Sequence, residues 1–187
     1  MSATTGAGPA GRTKIFEARD EAHAVTSTAV ARALAAMRIG FGLTFLWAFV
    51  DKLFGLGYAT PSEGAWVSGG SPTDGYLSNA PAGPFEGFYH ALAGQWWVDI
   101  LFMAGLLAVG VTLTLGIGIR LGAAAGVLLY VMMWTVALPP ANNPVLDEHL
   151  LGALGVLVVG LALAGDTWGL GRWWGSLELV EKYPALR

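Results

Sequence analysis

Four long apolar stretches constrain this chain more than any other feature. They run from about Ala29 to Leu56, from Trp96 to Ile119, from Leu121 to Leu138 and from Pro144 to Gly165. About 20 apolar residues in helical form cross a hydrocarbon core of about 30 Å, and each stretch meets or approaches that length. Helix is the conformation lipid permits here, because an open strand would leave backbone N–H and C=O groups without partners. Composition agrees. Of 187 residues 55% are hydrophobic and only 12% charged, against roughly 25% charged in soluble domains. The expected architecture is all-α: an integral membrane four-helix bundle.

The positions of Lys and Arg orient it. Arg12, Lys14, Arg19, Arg32, Arg120, Arg172, Lys182 and Arg187 flank one side of a four-pass chain, whereas the loops at 57–95 and 139–147 carry none. Positive charge is retained in the cytoplasm, so both termini and the Arg120 turn are expected there, in a plasma-membrane protein with the two loops outside. The chain divides accordingly into a cytoplasmic tail (1–28), a membrane domain (29–165) and a cytoplasmic interfacial segment (166–187). The tail has mixed charges and no apolar core of the signal-peptide kind, so no cleavage is expected. Trp96 and Trp97 at one side, and Trp168, Trp173 and Trp174 at the other, read as interfacial belts.

The first outer loop is too long for a bare connector. Its Gly-, Pro- and Ser-rich part, Thr60 to Pro84, reads as irregular. After it, Phe85, Phe88, Tyr89 and Leu92 fall at i, i+3, i+4 and i+7, the signature of a short amphipathic helix on the outer surface. That helix is either an interfacial anchor or a lid over a site at the outer end of the bundle. The fourth stretch has Asn143 as its expected N-cap and Pro144 in its first turn. The pairs Ala36 and Gly40, Gly122 and Gly126, and Gly152 and Gly155 suit close helix approach; they leave homo-oligomerisation open.

Several chemistries are excluded. A net charge of −3 without a basic cluster offers no footprint for nucleic acid. With no cysteine there is no disulfide, iron–sulfur cluster, thiolate zinc site, Cys-linked haem or Cys nucleophile. Bis-histidine haem lacks two facing histidines. Gly116-Ile117-Gly118 lacks the βαβ context of a dinucleotide site. A zinc-like site from His90, His149, Asp51, Asp147 and Glu148 lacks diagnostic spacing, so no metal, haem or flavin is expected.

Polar residues within the stretches mark the candidate site. Arg38 lies deep enough that lipid exposure would be costly, so it should face the interior. Lys52, fourteen residues on, returns to within about 40° of Arg38, with Phe45 between them on one stripe. Each cation alone could instead snorkel to its nearer interface. Asp51 and Lys52 end the first helix, Asp99 opens the second, and Asp147, Glu148 and His149 open the fourth, which brings these groups to one face. A histidine beside a carboxylate and a cation can move protons or hydrogen-bond a quinone carbonyl; negative charge at a helix N-terminus alone also accounts for Asp147.

The order of motifs resembles the DoxX/DoxD family of small four-helix membrane proteins, and within it the DoxD-like membrane subunit of thiosulfate:quinone oxidoreductase. Arg38 is followed by Gly40-Phe41-Gly42 and Asp51-Lys52, then by Gly69-Gly70-Ser71-Pro72-Thr73 and Gly83-Pro84-Phe85. Trp97-Val98-Asp99 and Gly116-Ile117-Gly118-Ile119-Arg120 come next. Leu138-Pro139-Pro140 leads through Asn142-Asn143-Pro144 to Asp147-Glu148-His149, and Gly169-Leu170-Gly171-Arg172-Trp173-Trp174 closes the series. The resemblance implies oxidation of thiosulfate or a related reduced sulfur compound to tetrathionate, a membrane quinone as electron acceptor, and a smaller partner subunit. By position it implies Arg38, Lys52, Glu148 and His149 as functional polar residues. The expected site is thus catalytic His149, Glu148 and Lys52, with Arg38, Asp51, Asp99, Trp97 and Asn143 binding substrate or quinone. Family members with no established enzyme activity leave an alternative: a non-catalytic membrane module that docks or stabilises a redox complex.

Overall fold

The computed structural model describes residues 27–187; the expected cytoplasmic tail lies outside the described residues except at its end. Every regular element among the described residues is helical. Helix α1 (Thr28–Phe54) is followed by a long loop holding two 3-10 turns, Ser62–Gly64 and Trp66–Ser68, and two short helices, α2 (Asp74–Asn79) and α3 (Glu86–Leu92). Then come α4 (Trp96–Leu115), α5 (Ile119–Val136) and α6 (Glu148–Leu161), and beyond them α7 (Gly171–Gly175) and α8 (Glu178–Lys182). Helices α1, α4 and α5 are long and apolar enough to cross a membrane.

The fourth stretch falls short of its expected length. Helix α6 has 14 residues, about 21 Å at 1.5 Å per residue. Two residues compete to cap it, and the second wins. Asn143 Oδ1 accepts from the N–H groups of Val145 and Leu146, both at 2.9 Å, which closes a turn and leaves Pro144 in the loop. Asp147, with φ −133°, then accepts from Leu150 N–H and starts the helix. Asn143 is therefore a turn-former, not the cap. Helix α4 likewise stops at Leu115 and not Ile119, because Gly116 adopts φ 74° and ends it left-handed.

The main core lies among α1, α4, α5 and α6, through Phe45, Met103, Leu106, Val109, Leu113, Ala123, Val156 and Val159. In lipid such helices gain little from leaving the solvent, so close backbone approach matters more. Gly122 abuts Thr112, Gly126 lies between Val109 and Val156, and Gly152 and Gly155 receive the Tyr130 and Phe41 rings, as their spacing suggested. Ala36 and Gly40 do not take part: both are exposed, and a methyl group on Gly40 would meet nothing within 4 Å. The tight α1–α4 seam is made by Gly110 against Leu46 and by Gly42 against Thr114.

The long loop is more ordered than its composition suggests. The part expected to be irregular contains both 3-10 turns and α2. In α3 only half of the expected apolar face is covered. Tyr89 and Leu92 pack with Leu77, Val136 and Val98, while Phe85 and Phe88 are exposed. Phe85 precedes the helix as its cap, and Phe88 stays exposed at the uncovered edge of the face.

The C-terminal segment folds back onto the start of α5. Arg120 N–H donates to Arg187 O at 2.8 Å, the Arg120 guanidinium to Pro184 O at 3.2 Å, and Trp174 Nε1 to Leu186 O at 2.7 Å. Arg187 also pairs with Asp166 at 2.7 Å. Arg120, Arg172 and Arg187 thus gather at the end of the molecule that holds Arg38, opposite Lys52.

Candidate functional site

Along α1 the stripe Arg38, Phe45 and Lys52 faces inward as its spacing required. Arg38 is fully buried, Phe45 nearly so, and Lys52 half-buried. The two cations nevertheless have different surroundings at opposite ends of the helix.

Arg38 spends all its donors on backbone. Its Nε donates to Ala164 O at 3.2 Å, Nη1 to the carbonyls of Leu113 and of Thr114, the latter at 2.9 Å, and Nη2 to Thr167 O at 3.4 Å and Trp168 O at 2.9 Å. No hydrogen remains for a quinone or an anion. The expectation that Arg38 binds ligand is corrected accordingly: it ties α1 to the ends of α4 and α6, about 20 Å along the helix from Lys52.

Lys52 has no hydrogen-bond or ion-pair partner among the described residues. It lies at the wall of a cavity of about 940 Å³ enclosed by α4, α5 and the long loop. Leu101, Phe102, Leu128, Leu129 and Met132 supply an apolar wall. Thr60, Ser71, Thr73, Asp74 and Tyr76 add polar groups on the loop side, and Trp97 also lines it. This size and mixture suit a drug-sized organic ligand held by a few polar anchors.

The loop is fastened over the cavity by the two buried aspartates. Asp51 accepts from the N–H groups of Tyr58 at 3.3 Å and Ala59 at 3.0 Å. Asp99 Oδ1 accepts from Ser71 Oγ at 2.9 Å, from Thr73 N–H at 3.0 Å and from Thr73 Oγ1 at 2.6 Å. Both were expected to bind ligand; neither lines the cavity, and both act as anchors of its roof. On the opposite wall Tyr89 ties α3 to α5 through Thr135 and the carbonyl of Met132.

The remaining predicted residues form a second group. His149 Nδ1 meets Asp147 Oδ2 at 2.8 Å, and the other oxygen of Asp147 accepts from Leu150 N–H. The His149 ring lies 6.5 Å from that of Tyr130, which packs in turn on Phe45 at 5.1 Å. Asp147, Glu148 and His149 each offer one ligand atom within 4.8 Å of the others; since both Asp147 oxygens are already hydrogen-bonded, the arrangement is that of a helix cap with a paired histidine. This group does not line the cavity, and exposed Asn143 lies in the turn before it. Tyr76 relates the two: it lines the cavity, and burial, then the charges of Asp147 and Glu148, and Tyr89, push its phenol up, so it stays a neutral donor.

Tyr76, Thr60 and Thr73 are site residues that sequence reasoning passed over, because a Gly- and Ser-rich loop gives no periodic signal. The aromatic Tyr76 between Gly75 and Leu77 was the available cue. Comparison with family models, with curated proteins and with solved structures returned no match.

Proposed function

We propose that the chain is a four-pass plasma-membrane protein with both termini cytoplasmic, in which α6 and the turns flanking it complete a four-helix bundle, and that it is a DoxX/DoxD-like membrane subunit of a thiosulfate dehydrogenase that passes electrons to the quinone pool. The observation that carries the reading is the apolar cavity lined at one side by Lys52, which has no partner among the described residues. A quinone ring is apolar on its faces and accepts hydrogen bonds at its carbonyls, so it needs a greasy slot with a donor at one end. Lys52 supplies that donor, with the hydroxyls of Thr60 and Tyr76 nearby. An ammonium there also attracts a sulfur dianion.

In the reaction two thiosulfate dianions join through their terminal sulfurs, forming one S–S bond and releasing two electrons. Quinone takes these with two protons and becomes quinol. The Asp147–His149 pair is suited to hand on protons: Asp147 fixes Nδ1, which leaves Nε2 to exchange, and Glu148 stands beside it at the surface. A smaller partner subunit would complete the electron path, since the chain carries no cysteine for a thiolate relay. Exposed Phe85 and Phe88 favour a second reading, a non-catalytic module that docks such a redox partner.

The test is to extract quinone from detergent-purified protein and to measure thiosulfate-dependent reduction of a quinone analogue by wild type, Lys52→Met and His149→Ala. Lys52→Met should lower turnover about tenfold or more, the worth of a hydrogen bond from a charged donor. Wild type with neither bound quinone nor turnover, even with a partner supplied, sinks the enzymatic reading. Equal rates in all three proteins sink the residue assignments.

A further inference from the structure

The cavity is not sealed on its flank. Leu101 and Gly105, one turn apart on α4, and Ala125, Leu128 and Met132 on α5 all line it. Yet Leu101, Leu128 and Met132 are 63%, 61% and 43% exposed. A side chain that both walls a cavity and faces outward stands at the rim of an opening. This opening lies in the α4–α5 seam, on an apolar flank where a membrane helix meets lipid. Gly105 already packs on Leu129, 3.2 Å from where its own methyl group would lie, so the opening is the stretch above it, between Leu101 on α4 and Leu128 and Met132 on α5. Towards the Arg38 end the seam shuts: a methyl group on Gly126 would lie 3.1 Å from both Val109 and Val156, and one on Gly122 would lie 2.8 Å from Thr112 Cβ. The slot is therefore closed below, open sideways, and ends in Lys52 and the polar loop.

We propose that the α4–α5 seam is a lateral passage for one apolar chain, so that the ligand at Lys52 is a long-tailed amphiphile entering from the bilayer, and that Leu101 and Leu128 form the rim of the passage. The inference rests on the quinone reading above and adds the route and the tail. A tail gains little by leaving lipid for an equally apolar groove. The passage acts by exclusion: if it is filled, a tailed molecule cannot seat its head at Lys52, whereas a tailless ring still can.

The experiment compares equilibrium binding of a tailless methylated benzoquinone with that of the same ring carrying a decyl chain, read by quenching of tryptophan fluorescence, to which Trp97 in the cavity wall contributes. The proteins are wild type, Leu128→Trp, Leu101→Trp from the facing wall, and Leu107→Phe as a control outside the cavity. All are first checked for monodispersity and melting temperature in detergent. Leu128→Trp and Leu101→Trp should weaken the decyl compound about tenfold or more, as overfilling an apolar slot does. The tailless ring should stay within about twofold in every variant that melts like wild type, as for a surface change. Equal weakening of both compounds, or of neither, overturns the passage while leaving quinone binding intact. Wild type that binds neither compound overturns the quinone reading and the passage with it.

Discussion

Arg38 donates from Nη2 to the carbonyl of Trp168 at 2.9 Å, and Trp168 holds φ at 52°, a left-handed conformation unusual for a tryptophan. Leu163, at the other side of the same turn, has φ 47°. The turn bends its carbonyls inward to the guanidinium, and that local strain is offset by the bonds it makes possible. Arg38 has no carboxylate partner among the described residues. Its charge is met by carbonyl dipoles, two of them in the last turn of α4, where a helix carries partial negative charge.

Removing that cation should damage the fold more than any chemistry. Arg38→Met leaves several buried carbonyls without donors and should cost about 3 kcal/mol or more. Arg38→Lys, with three hydrogens in place of five, should fall between it and wild type. Thermal unfolding in detergent reads both. A melting temperature unchanged in Arg38→Met would show that the turn does not depend on the guanidinium.

Asp99 controls the cavity roof through three hydrogen bonds to Ser71 and Thr73. Asp99→Ala should free residues 71–77, raise their amide hydrogen exchange and cost about 1–3 kcal/mol. Asp99→Asn keeps an accepting oxygen and should show a smaller change. If exchange in this segment matches wild type in Asp99→Ala, the carboxylate does not hold the loop.

These two residues show how much the sequence conveys. Arg38 and Asp99 were recognisable as special because an ion in an apolar segment is expensive anywhere but at a built site. Their partners are backbone groups, which have no signature in the amino-acid letters, so whether each binds ligand or architecture was not legible. The helical positions, the Arg38–Phe45–Lys52 stripe and two of the three small-residue pairs depend on periodicity within a single helix, and periodicity is written in the sequence. The Gly110–Leu46 seam and the opening between α4 and α5 are relations between helices far apart in the chain. The start of α6 turned on a competition between Asn143 and Asp147 that local preference alone does not decide.

Asp147 makes that cap sensitive to acid. Burial raises its carboxyl, but the Leu150 N–H together with the ring and amide of His149 outweighs burial and holds it below the usual carboxylate range. A carboxyl whose pKa is lower in the folded state adds stability that is complete above its unfolded value of about 3.9 and is lost as pH falls through the lower folded value. Wild-type stability should therefore drop on acidification below about pH 4, and Asp147→Asn should flatten part of that drop. At neutral pH Asp147→Ala should cost about 1 kcal/mol as a lost N-cap. Identical acid profiles for wild type and Asp147→Asn would remove Asp147 from this account.

The α1–α4 seam gives the sharpest contrast between two glycines of similar appearance in sequence. A methyl group on Gly110 would lie 2.7 Å from Leu46 Cγ and 2.9 Å from its backbone nitrogen, so relief requires moving α1 itself. Gly110→Leu should cost about 3 kcal/mol or more by overpacking, and should reduce the yield of monodisperse protein. Gly40 faces open space, and Gly40→Leu replaces a poor helix former by a good one, so stability should hold or rise by up to about 1 kcal/mol. Melting curves of the two variants in one detergent decide the matter: if they are equally damaged, close packing of α1 on α4 at Gly110 is not what holds this pair of helices together.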